Sequence, residues 1–505
     1  MSARIEDYAL IGDCHTGALV SRDGSIDWLC LPRFDSGACF AALLGTRAHG
    51  RLLIQPRAEN PKIRRRYRDD TLILETDFET PAGAVTLVDF MPPRAVQPDL
   101  VRTVIGRSGQ VPMRLELILR PDYGSIVPWV RRLDGGISGL AGPDGFHFHS
   151  DVELRGEDFT TVADFTVAAG QSVSFNLTWF PSHRNPPRPI DPMKSLEMTE
   201  AFWKEWSGRC RYRGRWPDAM IRSLIALKAL TYAPTGGILA ALTTSLPERL
   251  GGNRNWDYRC CWPRDATFTL HALLEAGYLD EARAWRDWLL RAVAGAPDQI
   301  QSVYGIAGEH RLTELELPWL PGYENSAPVR VGNDAYSQLQ LDVYGEIMAT
   351  LHLARSKHMP RDENAWRMQR VLMEHLETIW RESDEGIWEI RGAPRQLTHS
   401  KVMAWVAADR AVKTVEQFGR DGPVERWRKL RDTIHEEVCT KGFDPRINSF
   451  VQHYGSQEVD ASLLMLAKVG FLPPDDPRIV GTINAIRQRL MRHGFLLRYE
   501  TESGV

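Results

Sequence analysis

Tryptophan, arginine and carboxylate side chains crowd into three short stretches of this sequence. The first, Gly251–Asp265, holds Trp256, Trp262, Arg264 and Asp265. Such a set suits a sugar: an indole stacks on the apolar face of a pyranose, while Arg and Asp hydrogen-bond its hydroxyls from opposite polarities. The plainer reading is that Asp265 caps a helix starting at Ala266 and pairs with Arg264. The second stretch, Pro328–Ala335, contains Arg330 and runs on into Gln338, Gln340 and Asp342. Asn333 is a good helix N-cap, and Arg330, with no acid directly beside it, is as ready to pair structurally as to bind a ligand. The third is Asp384–Gly392. There Glu389 follows Trp388 between Ile387 and Ile390, so desolvation could hold its proton at neutral pH, as a general acid requires. The alternative is an exposed turn glutamate paired with Arg391.

Other chemistries find less support. His147 and His149 share one face of a strand, but no third ligand lies near them for a metal. No phosphate-binding G-x-x-x-x-G-K-[ST] loop, H-E-x-x-H helix or G-x-S-x-G elbow occurs. Neither a cofactor nor a metal is expected.

The elements that must position these residues fall into two kinds. In the first third, Met113, Leu115, Leu117 and Leu119 alternate with other residues, as do Val173, Phe175, Leu177 and Trp179, which is the period of half-buried strands. Asp23-Gly24 marks a hairpin turn. Many short strands between Gly and Pro clusters predict an antiparallel sandwich. Asn185–Pro192 carries four prolines and reads as a linker. Beyond it the period becomes helical, with Trp216, Met220, Leu224, Leu227 and Leu230 on one face. After a linker helix at 194–206, nine helices are predicted: 216–233, 265–276, 279–294, 333–356, 361–382, 398–418, 422–439, 458–469 and 476–492. The longest loop between them, 295–332, contains Trp319, and long loops in compact domains are usually functional.

Size and charge narrow the classes. The chain has 505 residues, 43% of them hydrophobic, and a formal charge of −3 from 62 basic and 65 acidic residues. That balance draws no polyanion, so a nucleic-acid partner is not expected, and the run Arg64-Arg65-Arg66-Tyr67-Arg68 reads as a solvated strand face. No stretch of about 18 apolar residues offers a membrane span. The acidic N-terminus shows no export signal, and the seven cysteines match no zinc spacing, so reduced thiols in a cytoplasm fit best.

Taken together, Glu6–Tyr8, Ile11–Ala18 and Asp23–Ser36 resemble the trehalase-like N-terminal domain of bacterial glycoside hydrolase family 15. The second half is similar to the same family over Arg254–Asp265, Pro328–Glu346, Gly386–Arg391 and Thr398–Trp405. The resemblance implies an N-terminal β-sandwich (1–184), a linker with a helix (185–214) and an (α/α)6 catalytic toroid (215–505). It also implies inverting hydrolysis of an α-glucosidic bond in trehalose or a malto-oligosaccharide, the N-terminal domain favouring trehalose. By position, Glu389 matches the general acid, and Arg264 and Asp265 the grip on the non-reducing glucose. Trp256, Trp262, Trp319, Arg330 and Trp388 fall in segments that line the same pocket.

One expected element is missing. An inverting enzyme needs a second, ionised carboxylate roughly 6.5–9.5 Å from the first, and the resemblance puts it in a C-terminal glutamate segment that this sequence lacks. Glu502 is a poor substitute, because a terminal residue is not held in place. The expectation is therefore an incomplete toroid, nine helices of twelve, with an exposed apolar edge and weak or absent hydrolysis. Two further classes remain open: a noncatalytic glucan-binding protein, and a disaccharide phosphorylase on a related toroid, for which phosphate replaces the activated water.

Overall fold

A computed structural model describes residues 3–500; Glu502 lies outside the described residues. The predicted antiparallel β-structure is present as one connected fifteen-stranded sheet, followed by helices. Its longest strand, Asp99–Ile118, changes neighbours half-way along. The first half runs between Gly83–Phe90 and Ser172–Pro181, the second between Arg51–Pro56 and Thr160–Ala168. Ile54, Leu87, Val104, Leu115 and Leu177 from these strands belong to one fully buried apolar cluster. Each such side chain contributes roughly 1.5–3 kcal/mol by leaving water.

The Asp23-Gly24 turn forms as expected, joining strands Gly17–Val20 and Ser25–Cys30. Gly24 has φ +87°, and a Cβ there would stand 2.4 Å from the Ile54 carbonyl, so only glycine fits. That turn is also tied to the core, because Arg102 donates to the Gly24 carbonyl (2.8 Å) and the Leu52 carbonyl (2.6 Å) while its Nε meets Asp89 at 2.7 Å. Both side chains of this ion pair are fully buried. In the basic run, Arg66 and Arg68 pair with Glu75, Asp77 and Glu200. Arg65 instead donates to Val20 O (3.1 Å).

Ten α-helices occur among the described residues: α1 Pro192–Ser207, α2 Pro217–Ala229, α3 Pro263–Glu275, α4 Leu279–Ala292, α5 Asp342–Ser356, α6 Glu363–Ile379, α7 Thr398–Phe418, α8 Val424–Lys441, α9 Met465–Lys468 and α10 Pro477–Leu490. Their ends follow local chemistry. Asp191 caps α1 ahead of Pro192, Asp362 caps α6 by accepting from Ala365 N (3.0 Å), and α7 stops at Gly419 with φ +62°.

Three helix expectations need correction. The helix predicted from 333 begins only at Asp342, because Leu341 N is bound by the Asp384 carboxylate (3.1 Å) and Gln338 turns aside to Ile390 O (3.2 Å). The one predicted at 458–469 is cut to a 3-10 turn, Ala461–Leu464, and the single turn of α9, since Asp460 caps the segment. Trp216, expected on the buried face of α2, is 63% exposed with Arg215 stacked on its ring.

α5 and α7 pack tightly at Gly345, where a Cβ would lie 2.3 Å from the Met403 carbonyl. The chain divides into two compact units. One comprises the residues up to Cys260 with Glu275–Tyr278 and Thr313–Asn333; the other comprises Cys261–Leu274, Leu279–Leu312 and the residues from Asp334 onward. No helix among the described residues is long and apolar enough to cross a membrane, and no disulfide joins the described cysteines.

Candidate active site

The helical unit brings Trp262, Arg264, Asp265 and Glu389 together. α3 starts at Pro263, a residue pre-shaped for the first turn of a helix, so Arg264 and Asp265 lie inside that turn rather than before it. Asp265 is thus not the cap; its carboxylate, 45% exposed, sits 3.5 Å from Arg264. Glu389 arrives from a tight turn in which its own N–H bonds Gly386 O (3.1 Å) and both residues have positive φ, +52° and +61°. A non-glycine residue in that region is strained and needs a reason. Here the strained turn delivers the carboxylate to Trp262 Nε1 at 2.5 Å and Arg264 Nη2 at 3.2 Å.

Only 12% of the Glu389 side chain is exposed. Burial raises its pKa above the usual glutamate range, and the pull of Arg264 and the Trp262 N–H only partly offsets this. Both donors reach Oε1. Oε2 has no hydrogen bond among the described residues. The Arg264 guanidinium is also buried, which opposes its charge, but Asp265, Glu389 and Asp342 outweigh that and hold it firmly cationic.

Behind Arg264 stands a layer of polar groups. Gln340 Oε1 accepts from Arg264 Nη1 (3.0 Å) and Gln340 Nε2 donates to Gln338 (3.1 Å), while Asp342, at the start of α5, approaches the same guanidinium at 3.7 Å. One turn further on, Glu346 is pushed up to about 8 by burial and by Asp342. Asp384 is raised to about 7 by burial, with bonds from Ser400 and Leu341 N pulling it back. His399, in the first turn of α7, is depressed by burial against the opposing pull of Asp342 and Asp460. Trp388 does not touch Glu389 through its N–H; it donates to Asp460 (2.9 Å) and its ring meets Tyr499 edge-on.

The remaining sequence candidates lie in the other unit. Arg330 stacks on Trp256 at 4.6 Å and pairs with Glu314 and Glu316, both at 3.2 Å, the latter across the short ladder Leu315–Glu316/Arg330–Val331. The acid that its neighbours in sequence lack comes from the facing strand. Trp319 is 42% exposed and bonds Tyr123 O at 3.1 Å. Asn333 caps no α-helix; its Nδ2 donates to Asp257 O (3.1 Å). His147 and His149 lie 6.4 Å apart, and no group of three or more metal-binding side chains gathers among the described residues.

Sequence reasoning passed over Glu346, Asp384, His399 and Asp460. Two signals were available. Asp342 and Glu346 are carboxylates at i and i+4 among mostly apolar neighbours, and α7 opens on four consecutive polar residues, Thr398-His399-Ser400-Lys401, all of them buried.

An antiparallel β-domain ahead of helices, with a buried carboxylic acid beside an arginine–aspartate pair, is joined by agreement with known proteins. Residues 214–504 match glycosyl hydrolases family 15, and residues 1–163 match the trehalase-like N-terminal domain. The class is that of the glycoside hydrolases. A trehalase of Thermoplasma acidophilum is 35% identical over 497 residues, spanning 96% of this chain and 85% of that protein. A trehalase of Mycobacterium tuberculosis is 35% identical over 538 residues, covering 99% and 78%. The chain belongs to glycosyl hydrolases family 15. A bacterial glucoamylase crystallised with acarbose shares the fold, with a TM-score of 0.72 at 12% identity over 97% of this chain and 79% of that one.

Proposed function

We propose that this chain acts on trehalose as an inverting α-glucosidase, with Glu389 as general acid and Arg264 and Asp265 gripping the terminal glucose. The supporting observation is a buried glutamate whose pKa is raised while both of its donors contact one oxygen. With Oε1 accepting twice, the proton resides on Oε2. Oε2 protonates the glycosidic oxygen as the C1–O bond breaks, and water attacks C1 from the opposite face to give β-glucose. Trp262 holds the acid, and we assign Trp388 to a wall of the sugar pocket. The 35%-identical trehalases support trehalose over malto-oligosaccharides. For the architecture we propose a β-sandwich over 1–184, a linker with α1 over 185–214, and an incomplete (α/α)6 toroid over 215–505, with α2 to α10 as nine of its twelve helices.

The attacking water needs a base. Asp265 and Asp342 are both engaged with Arg264, and we give neither that role. Among the described residues we assign no base; acceleration of cleavage by azide, a nucleophile that needs no deprotonation, would report that none acts.

Glucose release from trehalose and from maltose, with and without phosphate, tests this reading, with proton NMR of the first-formed anomer. Release from trehalose as β-glucose without phosphate is expected. Sugar phosphate formed only with phosphate would make it a phosphorylase; binding without turnover, even with azide, would make it a glucan-binding protein. Glu389→Gln should lower kcat by about 10²–10⁴-fold, and near-normal turnover would remove Glu389 from the role.

A further inference from the structure

A cavity in the helical unit, about 430 Å³ in volume, opens where α5 and the end of α7 meet α4 and the segment leading into α6. Its wall carries Arg286, Arg355, Arg361 and Arg420, with His358, against a single carboxylate, Asp362. That carboxylate is already committed, capping α6 through Ala365 N (3.0 Å) and lying 3.5 Å from Arg286. Arg420 is buried and pairs with Glu363, which itself is 71% exposed.

The other two arginines are less satisfied. Arg355 spends one N–H on the neutral Gln369 (3.0 Å) and stacks on Trp366 at 5.2 Å, with no ion pair among the described residues. Burial and the neighbouring Arg420 push its pKa down to about 10. Arg361 is exposed at the rim and makes no hydrogen bond or ion pair among the described residues. Burying a guanidinium without an anion is costly, and a cluster of them is tolerated where a multiply charged oxyanion completes it.

Leu351, Met359 and Phe418 line the same hollow. Its volume is within the range of pockets for small organic ligands, far more than one oxyanion fills. We propose that this cavity is a binding site for a small phosphate monoester, its phosphoryl group held by Arg355, Arg361 and Arg420 and its organic part lying against the apolar wall. The site is independent of Glu389 and does not rest on the hydrolase reading.

Calorimetric titration of the full chain at constant ionic strength with glycerol 3-phosphate, inorganic phosphate and glycerol tests this. A sugar phosphate is avoided because its sugar could enter the glucose site. Glycerol 3-phosphate should bind saturably, at one per chain and at least about tenfold tighter than inorganic phosphate, and glycerol should not bind. Arg361→Ala, at an exposed position that leaves the fold intact, should weaken binding about tenfold or more, as should Arg355→Gln. Glu389→Gln should bind like the parent. Absence of saturable binding, or an unweakened Arg361→Ala, would overturn the site. Equal affinity for phosphate and ester would overturn the ester assignment.

Discussion

Because the Trp262 N–H donates to the same Glu389 oxygen that faces Arg264, the indole stabilises the ionised form of the acid as well as its position. Burial alone would push the proton affinity of Glu389 higher than it stands. Removing the donor therefore has a defined sign. In Trp262→Phe the acid should hold its proton to higher pH, so the alkaline limb of the kcat/KM profile should move upward while the limb from any base stays put. A downward move would show that the indole does not hydrogen-bond the acid in solution. Of the sequence reading at this scale, the desolvated Glu389 was legible from Trp388 and the flanking isoleucines. Its real neighbours were not, because Trp262 and Arg264 lie 127 and 125 residues away and no local pattern reports such a contact.

At the scale of the element, α5 is the helix whose electrostatics bear on stability. Folded Glu346 keeps its proton to about pH 8, whereas an unfolded glutamate releases it near 4.3. The stability this contributes is present in acid and is lost as the pH rises through 8, on the order of a few kcal/mol at most. Glu346→Gln cannot ionise. Its unfolding midpoint should therefore fall less between about pH 5 and about pH 9 than that of the parent, and parallel profiles would mean Glu346 is hydrated in solution. In the β-domain the buried Arg102–Asp89 pair holds a hairpin, a strand and the core together. Asp89→Ala leaves the Arg102 charge unpaired at zero exposure and should cost about 3–5 kcal/mol in urea unfolding; a loss under 1 kcal/mol would show water reaching that arginine.

For the whole molecule, the order of strands then helices was legible, because period-2 and period-3.6 patterns are local, the first along Val111–Leu117 and the second along α6. Where long-range contacts overrode local preference, reading failed. The segment 333–341 has helical pattern yet forms only a 3-10 turn and gives its Leu341 N–H to Asp384, and Arg330 finds an acid, Glu316, on a facing strand rather than in its own segment. Gly345 lies between Asp342 and Glu346, with room for a hydrogen and nothing larger against the Met403 carbonyl. The spacing of the proposed sugar grip is thus gauged by an absent methyl group, one helix axis removed from Arg264. An alanine there would wedge α5 from α7 and let Arg264 drift, so Gly345→Ala should raise KM, and an unchanged KM would show that the arginine is braced by α3 alone. Such a gauge leaves little play in the floor of the proposed site.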